Sequence, residues 1–383
     1  MQSQEILVSK IIDYFVSGCK KRDELKFGLE VEHFVVDRKS MKSIQYKGEK
    51  GIQSLLTELS PRFLQEYRES ENLFGLFNED AALSLEPGSQ LEISVKQYQS
   101  IIEIKQIYNK YFQIIQEMLE KRGQALITQG YMPVSQAEDI ELLPKSRYYF
   151  MDAYFKKTGS MGINMMRGTA SCQVSIDYVN EADFIDKYQC ACMLCPIFEL
   201  ISSNTPVFEG KRNTNPLIRT KIWRNVDAAR TGFLRETFDP DFSFLKYAEY
   251  ILDQNAIYVV LNGIAERSEH KVIDVLKDME DITQDDLILY LSLVFPNVRL
   301  RQYIEIRVAD SIPLEKMAAY MALIKGLFAD ISILKSWLKQ FSWSCESILE
   351  AQDAIMNNGY DAIVYGKPVN YFINEMNKLA LLH

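Results

Sequence analysis

Glu30 and Glu32 in Gly28-Leu29-Glu30-Val31-Glu32 are two residues apart. On a strand, where successive side chains alternate, both carboxylates project from one face and Phe27, Leu29 and Val31 take the other. A second pair, Glu86 and Glu92, brackets the turn in Leu85-Glu86-Pro87-Gly88-Ser89-Gln90-Leu91-Glu92-Ile93-Ser94. A third segment, Tyr303-Ile304-Glu305-Ile306-Arg307, puts an acid and a base on the same side of one strand. Each has a plain structural account: a wet outer face for Glu30 and Glu32, a polar strand face shared with Gln90 for Glu92, and an ion pair for Glu305 and Arg307. Taken together, three separate strands each offer a carboxylate flanked by apolar residues. A basin built that way suits hard cations such as Mg²⁺ or Mn²⁺. Such ions bridge nucleotide phosphates and offset charge as a phosphoryl group moves.

Arginines supply the opposite charge, because a planar and permanently charged fork grips a carboxylate or an acyl phosphate in two places. Arg167 precedes a strand, and Arg219, Trp223, Arg224 and Arg230 lie within Ile218 to Gly232. On spacing alone, solvated arginines paired with Asp227 or Glu236 compete with a substrate clamp. Cys190-Ala191-Cys192-Met193-Leu194-Cys195 has no second cysteine cluster to complete a tetrahedral zinc site, and its apolar helix-like setting favours small buried thiols. His33, His270 and His383 are scattered, with His33 facing away from Glu32. Neither a phosphate-binding P-loop, a G-x-G-x-x-G fingerprint nor a Ser-His-Asp or Cys-His arrangement is present.

The elements that must carry these residues follow from periodicity. A helix over Ile6–Phe15 leads into a strand over Lys26–Asp37, and two strand-like pieces between Leu73 and Ser94 flank the Glu86–Ser89 turn as a hairpin. Ile101–Arg122 keeps apolar residues three and four apart and closes on Gly123, a long helix with a glycine stop. A short helix near Arg147–Phe155 precedes a strand over Thr169–Tyr178, with Cys172, Val174, Ile176 and Tyr178 on one face and Gln173, Ser175 and Asp177 on the other. A helix over Glu181–Ser202, a loop over Ser203–Pro216 and the arginine-dense stretch Arg219–Thr231 come next. The last third offers one strand, Arg299–Val308, and then helices from Pro313 onward. Unevenly mixed strands and helices indicate an α+β fold rather than a regular βαβ series.

With 383 residues, 47% of them hydrophobic and 25% charged, the chain can bury a large core. A formal net charge of -9 disfavours nucleic acid as the main partner. No run approaches the length of a membrane helix, the start lacks a basic flank before an apolar run, and six sparse cysteines suit a reducing compartment. The expectation is a cytoplasmic protein with no membrane partner.

Five segments resemble the glutamate-cysteine ligases of the plant and proteobacterial type and related carboxylate-amine ligases. They are Gly28–Glu32, Leu85–Ser94, Met165–Asp177, Arg219–Gly232 and Tyr303–Asp310, in the family's order and spanning most of the chain from Lys26 to Asp310. Leu85–Ser94 is the most specific of them, although Ser89 stands where the family commonly has a second glycine. The resemblance implies a glutamine-synthetase-like fold, in which a curved, mainly antiparallel sheet forms a funnel with helices packed outside. One catalytic domain would fill residues 1–383, with a helical portion from about residue 313. It also implies ATP and Mg²⁺ as cofactors, with Mn²⁺ as an alternative. Carried over residue by residue, Glu30, Glu32, Glu86, Glu92 and Glu305 are expected to hold the metal. Arg307 and Gln173 are expected at the nucleotide, and Arg167, Arg219, Trp223 and Arg230 at substrate carboxylates or phosphates. Glu30, Glu92 and Arg307 are then the expected catalytic residues. The implied reaction joins the γ-carboxylate of glutamate to the amine of cysteine through a γ-glutamyl phosphate, in a monomer or homodimer. A different amine acceptor, a phosphotransferase on the same fold, and a non-catalytic binder of nucleotide or glutamate are the competing expectations.

Overall fold

The fold is a computed structural model that describes residues 3–261 and 263–383. Its spine is β1, Phe27–Asp37, where Leu29 and Val31 are fully buried between the half-buried Glu30 and Glu32. The strands that follow are β2 (Gln65–Glu69), β3 (Asn72–Phe77), β4 (Ala81–Leu85), β5 (Leu91–Tyr98), β6 (Gln124–Ile127) and β7 (Ser171–Ile176). A C-terminal hairpin, Val298–Leu300 with Ile304–Asp310, completes one nine-stranded antiparallel sheet. The hairpin lies at one edge, β7, β1, β5 and β4 run through the middle, and β3 and β2 close the other edge, while β6 pairs the far half of β1. The sheet is open rather than closed into a barrel, and it is one half of a mixed α and β structure, as the residue pattern implies.

Helices α1 (Gln4–Val16), α2 (Ile52–Leu59), α3 (Ile101–Lys121), α4 (Ser146–Thr158) and α5 (Gly162–Gly168) alternate with the first strands. Then come α6 (Glu181–Ile201), α7 (Ile218–Trp223), α8 (Phe244–Asp253), α9 (Val272–Asp278) and α10 (Gln284–Leu291). After the hairpin follow α11 (Leu314–Ala329), α12 (Ile331–Leu338), α13 (Cys345–Asn358) and α14 (Val369–Ala380). The apolar face of the sheet is covered by α3 and α6. Buried there are Leu29, Val31, Ile93, Val174 and Ile306, facing Ile104, Tyr108 and Ile115 of α3. Each such side chain contributes roughly 1.5–3 kcal/mol, which fixes the strand register and so decides which residues point to the other face. Helix α3 is capped by Ser100 and stops at Gly123, whose φ is +74. Helix α6 is buried almost all round, with Cys190, Cys192 and Cys195 at 0% exposure and all six cysteines free.

Two expectations differ. Arg299–Val308 is two strands joined by a turn at residues 301–303, closed by Arg301 N–H donating to Tyr303 O at 2.7 Å. The alternation of side chains runs through that turn with no glycine or proline to mark it. The first strand-like piece of the Leu73–Ser94 hairpin is likewise broken at residues 78–80, leaving β3 and β4. No single helix among the described residues is long and apolar enough to cross a membrane; α11 and α12 have the composition together but bend by 89° between them.

The β4–β5 turn is fastened to the segment before β7. Gln90 Oε1 accepts from Gly88 N–H at 2.8 Å, and its Nε2 donates to Met166 O and Thr169 O at 3.2 and 2.9 Å. A Cβ on Gly88 would meet the Arg167 backbone at 2.6 Å, so only glycine allows this approach. Ser89 has φ +64, and its Oγ is buried with no partner among the described residues. Replacing it by glycine removes both the left-handed strain and the orphaned hydroxyl. Ser89→Gly is therefore expected to raise unfolding free energy by about 1 kcal/mol, measured by urea denaturation; a loss of stability would contradict the strain.

On the covered face, His33 Nδ1 donates to Leu91 O at 3.0 Å, a bond only a protonated Nδ1 can make, so Nε2 accepts from Tyr108 Oη at 2.6 Å. Burial holds this imidazole down to about 4, from an ordinary 6.5. As pH falls below 6.5 the unfolded chain takes up a proton that the folded chain refuses. Stability is thus present above pH 6.5 and lost down to about pH 4, by about 3 kcal/mol. His33→Gln, which can keep both bonds, should flatten the pH dependence of unfolding in that window; an unchanged profile would rule the histidine out as its source.

Candidate active site

The polar face of the sheet opens into a cavity of about 340 Å³. Strand register builds its floor. Glu32 on β1 sits directly opposite Glu92 on β5, and Glu92 opposite Ser84 on β4. One step along, Glu30 lies between Ser94 and Gln173, and beyond it Ser175 on β7 faces Glu305, itself opposite Arg299. Glu86 enters from the β4–β5 turn.

The lining carries five glutamates and five arginines, Arg147, Arg219, Arg299, Arg301 and Arg307, so its formal charge balances. The two signs are segregated nonetheless. Glu305 Oε2 accepts from Arg299 Nε at 2.6 Å and from Arg307 Nη1 at 3.3 Å, and Arg301 Nε lies 3.9 Å from its other oxygen. Burial alone would raise this carboxyl, but Arg299, Arg301 and Arg307 override it and hold it at about 2. The remaining acids behave oppositely. Burial pushes Glu30 up to about 8, reinforced by Glu92 and Glu305; it pushes Glu32 to about 8, reinforced by Glu86 and Glu92. Glu92 rises to about 7 through burial and Glu86, against hydrogen bonds from Ser84 and Ser94 at 2.8 and 2.9 Å. A cation is what such a patch of crowded carboxylates accepts in place of protons.

The two ends are joined by one polar line. Arg307 Nη1 donates to Gln173 Oε1, while Gln173 Nε2 reaches Ser171 Oγ at 3.2 Å and Glu32 Oε1 at 3.5 Å. Glu32 Oε2 also accepts from Ser171 N–H at 2.7 Å. Arg219 and Trp223 form the wall on α7, with the guanidinium 5.6 Å from the indole ring. Arg219 Nη1 donates to Val308 O at 3.2 Å, whereas Arg219 Nε and Trp223 Nε1 are buried and have no hydrogen-bond partner among the described residues.

Of the residues expected at the site, Glu30, Glu32, Glu86, Glu92, Gln173, Arg219, Trp223, Glu305 and Arg307 line this cavity. Arg167 and Arg230 do not, which corrects the expectation that they meet substrate. Arg167 turns away to Asp152 at 2.8 Å and Ile140 O at 3.0 Å. Arg230, 1% exposed, pairs with Asp227 at 3.2 Å and donates to Leu293 O and Asn255 O, bracing the segment that carries Leu293 and Phe295 into the cavity. Glu305 is in the wall as well, where its Oε2 accepts from Arg299 and Arg307 and its Oε1 lies 3.9 Å from Arg301 Nε. Among the described residues no three His, Cys, Asp or Glu side chains converge on one point as they stand. Of the acids, Glu30, Glu32, Glu86 and Glu92 offer hard carboxylate oxygens of the kind Mg²⁺ takes.

Sequence reasoning passed over Arg299, Arg301 and Tyr303, although the odd-numbered run Arg299, Arg301, Tyr303, Glu305, Arg307 has the period of a single strand face. It also passed over Arg147, Tyr148 and Met151 of α4, Met165 and Met166 of α5, Tyr258 and Phe295. No local signal marks these, because only the packing of α4, α5 and the 292–295 segment over the sheet brings them in. Arg147 Nη2 donates to Tyr148 Oη at 3.2 Å while its Nε is buried with no partner among the described residues, which puts a cation at that end of the cavity.

Comparison with known proteins bears on this arrangement. The family described as glutamate-cysteine ligase family 2 matches residues 26–366. The chloroplastic glutamate-cysteine ligase of Brassica juncea is 32% identical over 336 residues, covering 86% of this chain and 65% of the plant protein. That of Nicotiana tabacum is 31% identical over 381 residues, covering 97% and 72%. The chain thus spans about two thirds of the length of these relatives. A crystal structure of glutamate-cysteine ligase from Francisella tularensis in complex with AMP shares the fold, with a TM-score of 0.54, 10% identity, and coverage of 94% of this chain and 78% of that one. With the matched span running from the first strand of the cavity floor past its last arginine, the chain belongs to glutamate-cysteine ligase family 2.

Proposed function

We propose that this protein is an ATP-dependent ligase that joins the γ-carboxylate of glutamate to the amine of cysteine, releasing ADP and phosphate. The observation that carries the reading is the division of one cavity into a patch of four carboxylates and a cluster of three arginines, joined by Gln173. A carboxylate is a poor acyl donor until activated. In the first step a γ-carboxylate oxygen bonds to the terminal phosphorus of ATP as the bond to ADP breaks, and the product is an acyl phosphate. In the second, the amine attacks the acyl carbon, phosphate leaves, and the nitrogen gives up its proton.

The chain's own residues position and neutralise. Arg299, Arg301 and Arg307 would neutralise phosphate oxygens, and Glu305 holds them in a fixed array. Arg219 Nε and Trp223 Nε1, unpartnered donors on α7, suit a substrate carboxylate. Glu30, Glu32, Glu86 and Glu92 would hold Mg²⁺, or Mn²⁺, which when bound draws charge from the transferring phosphoryl group. A small-molecule site of this kind needs no nucleic-acid or membrane partner. Six free thiols fit a reducing compartment such as the cytoplasm.

A different acceptor is the second reading, since Arg147, Tyr258 and the methionines at the far end define no single amine. Mass spectrometry after incubation with ATP, Mg²⁺, glutamate and a panel of amines decides between them. The expected product is γ-glutamylcysteine; ADP formation with another amine alone would replace cysteine, and no ADP with any acceptor would overturn the ligase. Omitting the divalent ion or adding EDTA should abolish turnover, with recovery on adding Mg²⁺ or Mn²⁺.

Glu30→Gln or Glu92→Gln should lower kcat by at least about 100-fold while the protein still folds. Glu92→Gln has a second signature. Because the folded carboxyl titrates at about 7 rather than 4.5, the fold loses stability as pH rises from 4.5 to 7 and the loss is complete at pH 8, so the amide should raise the melting temperature there. Near-normal kcat in both variants would remove the carboxylates from the mechanism.

A further inference from the structure

Glu199 on α6 is a carboxylate, 4% exposed, that the reaction does not use. Burial pushes it up to about 8, against hydrogen bonds from Gln352 and Thr220 and the charges of Arg219 and Arg224. It is instead the meeting point of four elements. Gln352 Nε2 of α13 donates to both of its oxygens at 2.8 and 3.0 Å. Asn297 Nδ2, just before the C-terminal hairpin, donates at 3.4 Å, and the Thr220 hydroxyl of α7 donates as well. Asn297 O in turn accepts from the Arg307 N–H at 3.0 Å.

This junction sits directly behind the cavity wall. A second cavity of about 20 Å³ is lined by Glu199 together with Arg219, Trp223, Phe295 and Arg307, and those last four also line the main cavity. A separate contact ties the same two helices: Arg224 Nη1, at the end of α7, meets Asp353 Oδ1 of α13 at 2.6 Å. Helix α7 is only six residues long, from Ile218 to Trp223, and cannot hold its own geometry by intrahelical bonds. Its neighbours must do so.

We infer that Glu199 is a positioning residue and that α13 is part of the catalytic apparatus: the Glu199–Gln352 junction, backed by Arg224–Asp353, clamps α7 and so fixes Arg219 and Trp223 against the substrate. Helix α13 then couples to the site through this buried carboxylate and the Arg224–Asp353 pair. The inference rests on the proposed role of Arg219 and Trp223 as substrate contacts, and its test has a readout that does not depend on turnover.

The full-length chain is compared with Gln352→Ala, Glu199→Ala and Glu199→Gln. A carboxamide at 199 can still accept from Gln352 Nε2 and can donate to Gln352 Oε1, which is buried without a partner. Gln352→Ala and Glu199→Ala should raise the KM for glutamate on the order of tenfold, with kcat and the KM for ATP changed less than about twofold. Glu199→Gln should recover most of the loss. A uniform fall in the amount of active enzyme, with both KM values unchanged, would reduce the junction to a structural contact and overturn the inference. In parallel, Trp337→Phe/Trp343→Phe leaves Trp223 as the sole tryptophan of the original three. Acrylamide quenching of Trp223 should increase when Gln352→Ala is added, even if no ligase activity is found. Identical quenching with and without the junction would sink the clamp, whereas absent turnover with increased quenching would fault the proposed reaction instead.

Discussion

Four carboxylates on one face of an antiparallel sheet repel one another, and much of the architecture exists to hold them there. Glu32 and Glu92 face each other across β1 and β5, and two unit charges about 5 Å apart repel by about 3 kcal/mol at an effective dielectric near 20. Nothing on the polar side offsets this fully; Ser84, Ser94 and Ser171 contribute hydrogen bonds to Glu92 and Glu32 but no charge. The force that keeps these residues in place acts on the opposite face, where Leu29, Val31, Ile93 and Val174 are buried under α3 and α6. A slip of one residue in either strand would expose that apolar set, so hydrophobic burial enforces an electrostatically unfavourable alignment.

The arginines are arranged by the same sheet, and their separation from the carboxylates matters as much as their number. Were the five positive and five negative groups interleaved, each acid would be neutralised in place, as Glu305 is by Arg299, Arg301 and Arg307. Segregation instead leaves Glu30, Glu32 and Glu92 with raised proton affinity, and it leaves an array of guanidiniums already held at fixed positions. Preorganised charge of both signs, in a recess shielded from water, is what stabilises a transferring phosphoryl group without reorganisation at the moment of reaction. The strained Ser89 turn belongs to the same picture, since it carries Glu86 into the basin while Gly88 lets the backbone touch Arg167.

Family membership and the cavity support each other through different evidence. The matched span follows the chain, whereas the cavity gathers β1, β5, β7, the C-terminal hairpin, α4, α5 and α7 from across it. The helices beyond the hairpin add no residue to the lining, yet α13 reaches the wall through Gln352 and Asp353.

The amino-acid order alone determined what local periodicity and short motifs encode. Alternation around Glu30, Glu32 and Glu92 settled which face their carboxylates share, the proline-glycine turn set the β4–β5 hairpin, and a 3.6-residue period with a glycine stop defined α3. These are short-range consequences of backbone sterics and side-chain direction. Tertiary structure decided everything that depends on what lies opposite. Arg167 and Arg230 carry the same charge as Arg219, but Asp152 and Asp227 claim the first two, while Arg219 is left facing the cavity. Glu305 lies on a strand like Glu30, but the turn at residues 301–303 folds Arg299 and Arg301 back onto it and makes it the counter-ion of both. Whether a charged side chain is available for chemistry is set by its partners, and partners distant in sequence meet only when the sheet and its helices pack.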